Sequence, residues 1–125
     1  MKAKILTCFF AVALFAGCVH QPLVKHDQTL LYNRPFDYTY DEVIDAASSV
    51  HPWQLASTTR SMGEIVLLNE QYWDTLDTDK RTARILVKRV SRRQTSVQLA
   101  PESQNVIGVG EILKKIDQVL GQYKT

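Results

Sequence analysis

Cys18 is the residue whose surroundings point most clearly to chemistry. It closes a segment in which an uncharged, largely apolar run of 12 residues, Ile5 to Ala16, follows Lys2 and Lys4. A basic start followed by a short apolar run is the layout of a secretory signal. As a helix this run would rise only about 18 Å, short of the roughly 30 Å hydrocarbon core of a bilayer. We therefore expect an export signal and not a transmembrane span.

The segment Leu14-Phe15-Ala16-Gly17-Cys18 resembles a lipobox, in which small residues precede a cysteine that is lipidated before the signal is cleaved. Ala16 and Gly17 fit this pattern, whereas Phe15 stands where the family usually has leucine or another aliphatic residue. The resemblance implies that Cys18 carries a diacylglyceryl group and usually a third acyl chain. Each buried methylene contributes about 0.8 kcal/mol, so such an anchor is effectively permanent.

The two cysteines are therefore not expected to form a disulfide, because Cys8 leaves with the signal and Cys18 becomes a thioether. The resemblance also implies the outer membrane, facing the periplasm, since lipoproteins of the enterobacterial type are often held in the inner membrane by aspartate where this chain has Val19. We expect residues 1–17 to be a signal peptide, residues 18–28 a lipidated N-terminus and flexible tether, and residues 29–125 one domain.

The charge of the mature chain is balanced. Removal of residues 1–17 takes away Lys2 and Lys4 and leaves 13 basic residues against 13 acidic ones. Nucleic-acid binding relies on the neutralisation of many phosphates, so this balance argues against it. The 108 residues that remain are enough for one small domain with one core.

Few other residues have the spacing that catalysis or metal binding requires. Asp74, Asp77 and Asp79 could offer oxygen ligands to a cation, but an EF-hand needs a glycine and a glutamate at positions that this loop lacks, which favours a solvated loop. The three histidines lack metal-ligand spacing, and Gly108-Val109-Gly110 lacks the third glycine of a phosphate-binding turn. The mature sequence also lacks the G-x-S-x-G and S-x-x-K motifs of nucleophilic serines. We expect no metal, no other cofactor and no enzymatic activity.

The stretch Lys80–Arg93 is strongly biased, with seven basic residues and no acidic one. If it forms a regular strand, Arg84, Lys88 and Arg92 share one face at intervals of about 13 Å, and they could bind phosphates or the acidic groups of a partner. The alternative, which we favour, is a solvated outer face that pairs across strands with acids such as Glu64.

Two tryptophans could extend that candidate binding face. Trp53 and Trp73 are either packed in the core and at the end of the sheet, which we favour, or exposed as anchors for a partner.

Hydrophobic periodicity predicts two helices that would position these residues. The sequence Thr39-Tyr40-Asp41-Glu42 has the T-x-x-E pattern of a capping box, with Tyr38 and Val43 as a hydrophobic staple, and the first helix should end at His51-Pro52. The second helix carries an apolar stripe at helical spacing and should stop at Gly121. The stripe consists of Val109, Ile112, Leu113, Ile116, Val119 and Leu120.

The remaining segments read as strands. Residues 29–36 predict a short edge strand that ends near Pro35, and two further strands, residues 53–59 and 64–73, flank a turn at residues 61–63. In the fourth strand alternate residues from Ala83 to Val87 face inward, and the alternation breaks at Arg89-Val90, which predicts a bulge or the end of core contact. Residues 95–100 form the last strand, with Val97 and Leu99 inward.

The order β-α-β-β-β-β-α predicts an α+β fold, an antiparallel sheet of four to five strands with two helices packed on one face. The segments FDYTYDEVIDAA, ARILVKRV and VGEILKKIDQVL resemble small uncharacterised bacterial lipoproteins and, more distantly, the helix-grip domains of the lipoprotein subunits of the outer-membrane barrel-assembly machine. The resemblance covers residues 30–121 and consists of apolar patterning, so it bears on the fold and leaves the function open.

The functional expectation is a noncatalytic binding or scaffolding domain in the cell envelope, with an envelope protein as its partner. The alternative is a carrier of a small ligand in a pocket between the sheet and the helices.

Overall fold

The computed structural model describes residues 25–71 and 81–125. They form a five-stranded antiparallel sheet with two α-helices against one face, which confirms the α+β architecture predicted from the sequence. The elements are β1 Leu30–Tyr32, α1 Phe36–Ser48, β2 Trp53–Thr59, β3 Glu64–Asn69, β4 Thr82–Ser91, β5 Gln94–Leu99 and α2 Val109–Leu120.

The strand order is β1-β5-β4-β3-β2, and every neighbouring pair is antiparallel. Strands β2 to β5 form a meander, and β1 joins its far side as the predicted edge strand. The C-terminal residues cover the outer edge of β1, because the Asn33 N–H donates to the Tyr123 carbonyl at 2.6 Å and the Thr125 N–H to the Leu31 carbonyl at 3.3 Å. Main-chain donors and acceptors that an edge strand would otherwise expose are thereby satisfied.

The core lies between the sheet and the helices. Alternation in β4 turns Ala83, Ile85 and Val87 inward, as predicted, and each is at most 2% exposed. Ile65 and Leu99 lie opposite Ile85 on the neighbouring strands, so one apolar row crosses three strands. From the helices, the predicted stripe of α2 is buried except for Val119, which is 38% exposed.

Helix α1 begins four residues earlier than the capping box predicted, with Pro35 and not Thr39 as its N-cap. The residue before its first turn is Pro35, which has no N–H to leave unpaired and a φ of −59° that suits a helix start. Thr39 therefore lies inside the helix, where its hydroxyl donates to the Pro35 carbonyl at 2.9 Å. Tyr38 is 62% exposed, so the predicted staple does not form. The earlier start adds Phe36 to the apolar face that packs against the core.

Helix α2 ends at Leu120 as predicted, but not through a left-handed glycine. Gly121 has a φ of −57°, and a short 3-10 turn, Gly121–Tyr123, carries the chain on to its pairing with β1. Strand β1 is joined to α2 by the Tyr32 hydroxyl, which donates to Asp117 at 3.0 Å. Burial, and then the neighbouring Asp117 carboxylate, raise the pKa of Tyr32.

The two ends of the sheet differ in what they hold. At one end, here called the tether end, the chain enters the domain: the His26 N–H donates to the Gln104 carbonyl at 2.9 Å. The His26 ring packs so closely on Gly110 that a Cβ there would lie 2.6 Å from it. Among the described residues, His26 already contacts the domain, ahead of the expected boundary at Thr29.

The opposite end, here called the basic end, holds the start of α1, the β2–β3 turn and the β4–β5 hairpin. Because β5 runs from the basic end to the tether end over six residues, the two ends are separated by about 20 Å. Within the described ranges, no helix is long and apolar enough to cross a membrane.

Candidate functional site

The β2–β3 turn at the basic end is held in place by Gly63. The predicted turn is a 3-10 turn, Arg60–Met62, closed by Gly63 in the left-handed region with a φ of 64°. A Cβ at this glycine would lie 1.9 Å from the Val87 carbonyl oxygen. The Val87 N–H in turn donates to the Gly63 carbonyl at 2.7 Å. A glycine is needed here both for the conformation and for the close approach to β4.

Beyond this contact, β4 continues without a neighbour on its β3 side among the described residues. The last β3–β4 pair is Glu64 with Leu86, whereas β4 runs on to Ser91 and pairs there with β5. The register between β4 and β5 shifts between Arg89 and Ser91, which confirms the predicted bulge. The strand therefore has a short open edge next to the β2–β3 turn.

A groove of about 580 Å³ lies along this edge. Its walls come from three elements that are far apart in sequence: the start of α1, the β2–β3 turn and β4. Among the lining residues are Phe36, Arg60, Met62, Gly63, Lys88 and Arg89. The groove thus combines apolar side chains with three cationic ones.

The β4–β5 hairpin carries a group of exposed cations. They are Lys88, Arg89, Arg92 and Arg93, and within residues 25–71 and 81–125 none of them forms an ion pair. The Arg89 guanidinium lies 5.4 Å from the centre of the Phe36 ring, which holds it at the groove wall. Four like charges close together, with no counter-charge from the described part of the domain, attract anionic groups from outside it.

The other cations at this end are neutralised. Arg60 lies between Asp37 and Asp41, and hydrogen bonding to Asp41 is the main reason why the pKa of Arg60 is raised. Arg34 pairs with Glu42 and also stacks over the Tyr123 ring at 4.4 Å. These pairs hold the start of α1 in position, so they support the groove and do not supply its net charge.

Apolar side chains are exposed at the same end. Met62 is 69% exposed, Tyr38 62% and Val90 54%, and Met62 lines the groove. Exposed apolar residues scattered singly are ordinary, but three of them beside exposed cations make a surface with both kinds of contact that a protein partner uses.

Arg84, Lys88 and Arg92 do not form an unpaired basic face, and Arg84 instead pairs across strands with Glu64, the alternative that the sequence favoured. Arg84 is half-buried and pairs with Glu64 at 3.0 Å and with Glu102, and these two hydrogen bonds, Glu102 first, raise the pKa of Arg84. The same contact lowers the pKa of Glu102. Arg92 lies in the turn after β4, because the bulge ends the regular alternation before it. Only Lys88 of the three contributes to the groove.

Of the two tryptophans in the candidate binding face, the structure describes only Trp53. Trp53 is 3% exposed and its indole packs 3.5 Å from where a Cβ on Gly108 would be, so it belongs to the core at the tether end and is not a surface anchor. Trp73 lies outside the described residues, as do Cys18 and the loop acids Asp74, Asp77 and Asp79.

Four residues at the basic end were not predicted as site residues, namely Arg89, Arg93, Arg60 and Met62. The sequence did contain a signal for the first two, since the break in alternation at Arg89-Val90 falls inside the basic run and implies that cations on both sides of the strand come together. No comparable signal marks Arg60 or Met62, whose position depends on how the β2–β3 turn packs against β4.

The described residues hold no group of three or more His, Cys, Asp or Glu side chains placed to bind a metal ion. The space between sheet and helices, where a carried ligand was the alternative expectation, contains core side chains such as Tyr40, Ile65 and Ile112, each at most 1% exposed. A second surface groove of about 260 Å³ lies between the end of α1 and α2, with Lys114 and Glu111 among its lining residues.

Comparison with protein-family models and with curated proteins found no match for this chain.

Proposed function

We propose that this protein is a bacterial lipoprotein, anchored through Cys18 to the outer membrane and facing the periplasm, whose domain binds an envelope protein without catalysing a reaction. The observation that carries the binding part is the basic end, where exposed cations, exposed apolar side chains and an open groove coincide. The anchor rests on the sequence of residues 14–18.

The position of the tether supports a protein partner over the anchoring membrane itself. From Cys18 to His26 the chain is eight residues long and can span at most about 29 Å. His26 is held at the tether end, about 20 Å from the basic end. For the basic end to touch the anchoring membrane, the tether would have to run back along the domain over about 20 Å, roughly two-thirds of its full length. Because extension of the expected tether beyond its average span would cost conformational entropy, we favour a basic end that faces away from the anchor.

The anchor is tested by labelling cells with a fatty acid that carries a detectable tag. We expect label on the wild-type protein and none on Cys18→Ser, whose signal peptide should also be poorly cleaved, while Cys8→Ser should be labelled normally. Equal labelling of wild type and Cys18→Ser would contradict the proposed anchor.

The binding part is tested by photo-crosslinking in intact cells. A photoreactive residue at Met62 should give a discrete crosslinked protein, and the adduct should disappear when Lys88 and Arg89 are both changed to Glu. The control is the same residue at Val119, which is exposed on α2 away from the groove. No adduct from Met62, or an adduct unaffected by the charge reversal, would contradict this function.

A further inference from the structure

We infer that the groove at the basic end receives an extended acidic segment of the partner protein, which adds a short strand beside Arg89 of β4. This inference rests on the proposed binding function and specifies the chemistry of the partner.

The main chain of β4 provides the first argument. Successive residues of an antiparallel strand direct their N–H and C=O groups to opposite neighbours, so residues two apart direct them to the same side. The Val87 N–H points to the β3 side, where it meets the Gly63 carbonyl. Arg89, two residues on, therefore directs its N–H and C=O to the same side, beyond the last β3–β4 pair at Leu86. An extended peptide is the ligand that satisfies one donor and one acceptor in this arrangement.

Charge provides the second argument. The groove is lined by Arg60, Lys88 and Arg89 and by a single acid, Asp37, which is already paired with Arg60 at 3.2 Å. Arg92 and Arg93, which also lack an ion pair within the described ranges, add two cations at the adjacent turn. Carboxylates on the incoming segment would be the counter-charges that the described residues do not supply.

The apolar lining provides the third argument, and it separates a peptide from a lipid headgroup or free phosphate. In an extended peptide, successive side chains point to opposite sides, so a segment that alternates acidic and apolar residues presents carboxylates to one side and apolar groups to the other. Phe36 and Met62 offer the matching apolar contacts. A bare phosphate group would use the cations and leave both this lining and the Arg89 main chain without a partner.

The test measures binding of a fluorescent peptide of Glu-Val repeats to the full-length protein in detergent, by anisotropy. We expect saturable binding that weakens with added salt, and about tenfold weaker binding for the double variant Lys88→Glu/Arg89→Glu. The matched control is Lys114→Glu/Lys115→Glu on α2, which makes the same change in net charge and should bind like wild type.

Two further probes test the strand pairing. A peptide of the same charge in which every main-chain nitrogen is methylated, and which therefore cannot donate main-chain hydrogen bonds, should bind about tenfold more weakly. A water-soluble short-chain phosphatidylglycerol should not displace the Glu-Val peptide. Equal binding of the methylated peptide, or displacement by the phospholipid, would overturn the inference in favour of simple anion binding or of a lipid headgroup.

The peptide-binding test and the crosslinking test of the proposed function can fail independently of each other. If Met62 crosslinks a protein in cells and the charge reversal abolishes the adduct, but the Glu-Val peptide does not bind, the binding function stands and the acidic extended segment is wrong. If the peptide binds but no adduct forms in cells, the binding function fails although the groove has the chemistry inferred for it.

Discussion

Gly63 is the residue on which the geometry of the basic end most depends. Its φ is 64°, and a Cβ added to it would lie 1.9 Å from the Val87 carbonyl oxygen, so any side chain must displace β4 or the turn. We expect Gly63→Ala to lower the free energy of unfolding by about 2 kcal/mol or more, measured by urea denaturation.

Gly121→Ala is the control for that substitution. Gly121 has a φ of −57° and nothing within 4 Å of the Cβ position, so alanine should leave stability unchanged or raise it by up to about 1 kcal/mol. Equal stability of the two variants would mean that Gly63 does not pack against β4 as described.

Tyr32 gives a prediction that depends on pH. Its hydroxyl donates to Asp117, and burial together with that carboxylate raises the pKa of Tyr32 above its ordinary value of about 10. The neutral form is favoured in the folded state, so this stabilisation is fully present below pH 10 and is lost as pH rises above it.

We therefore expect Tyr32→Phe to cost about 1 kcal/mol at neutral pH, with a difference from wild type that shrinks above about pH 10. Tyr38→Phe, at an exposed position, should change stability little at either pH. A difference between Tyr32→Phe and wild type that grew with alkaline pH would contradict the role assigned to the buried hydroxyl.

At the scale of helices and strands, periodicity predicted most of the fold. The positions of the meander strands, the inward residues of β4 and most of the α2 stripe were predicted correctly, because burial on one face imposes alternation in strands and helical spacing in helices. Strand β3 ends at Asn69 and not at residue 73, and Val119 of the stripe is partly exposed. The predicted start of α1 was wrong. A T-x-x-E pattern describes a possible cap, but Pro35 and the burial of Phe36 decide where the helix begins.

The candidate site was harder to predict than the fold. Arg84 was included in the candidate binding face because its type and spacing matched those of Lys88. Whether a cation is paired, however, depends on where acids distant in sequence lie, and the acids that pair with Arg84, Glu64 and Glu102, come from other elements. The groove is likewise assembled from three separate segments. Sequence spacing within β4 could identify the basic run but not which of its cations meet an acid.

Ile116 tests the packing of α2. It is fully buried at the centre of the apolar stripe, so Ile116→Asp must either bury an unpaired carboxylate or protonate it, at a cost of several kcal/mol, comparable to the stability of a small domain. We expect this variant to be unfolded by circular dichroism. Lys114→Asp, on the exposed face of the same helix, should cost well under about 1 kcal/mol. Similar melting temperatures for the two variants would mean that the buried face of α2 is misassigned.

At the scale of the whole molecule, the entry of the tether and the candidate binding surface lie at opposite ends of the domain. His26 fixes the chain at the tether end, while the hairpin cations and the exposed side chains of Tyr38, Met62 and Val90 lie at the other end. With the proposed anchor at Cys18, we expect the tether end near the membrane and the basic end about 20 Å further out. The proposed function requires this orientation, since a basic end that lay on the anchoring membrane would not be open to a partner protein.

The most direct test is energy transfer from the domain to a labelled membrane. A donor dye would be attached at Val90→Cys, at the basic end, or at Ile107→Cys, at the tether end, in the lipidated protein reconstituted into vesicles with acceptor-labelled lipid. The two positions are matched in exposure, at 54% and 62%. The proposed orientation predicts more efficient transfer from Ile107 than from Val90. Equal transfer from both, or more efficient transfer from Val90, would contradict it.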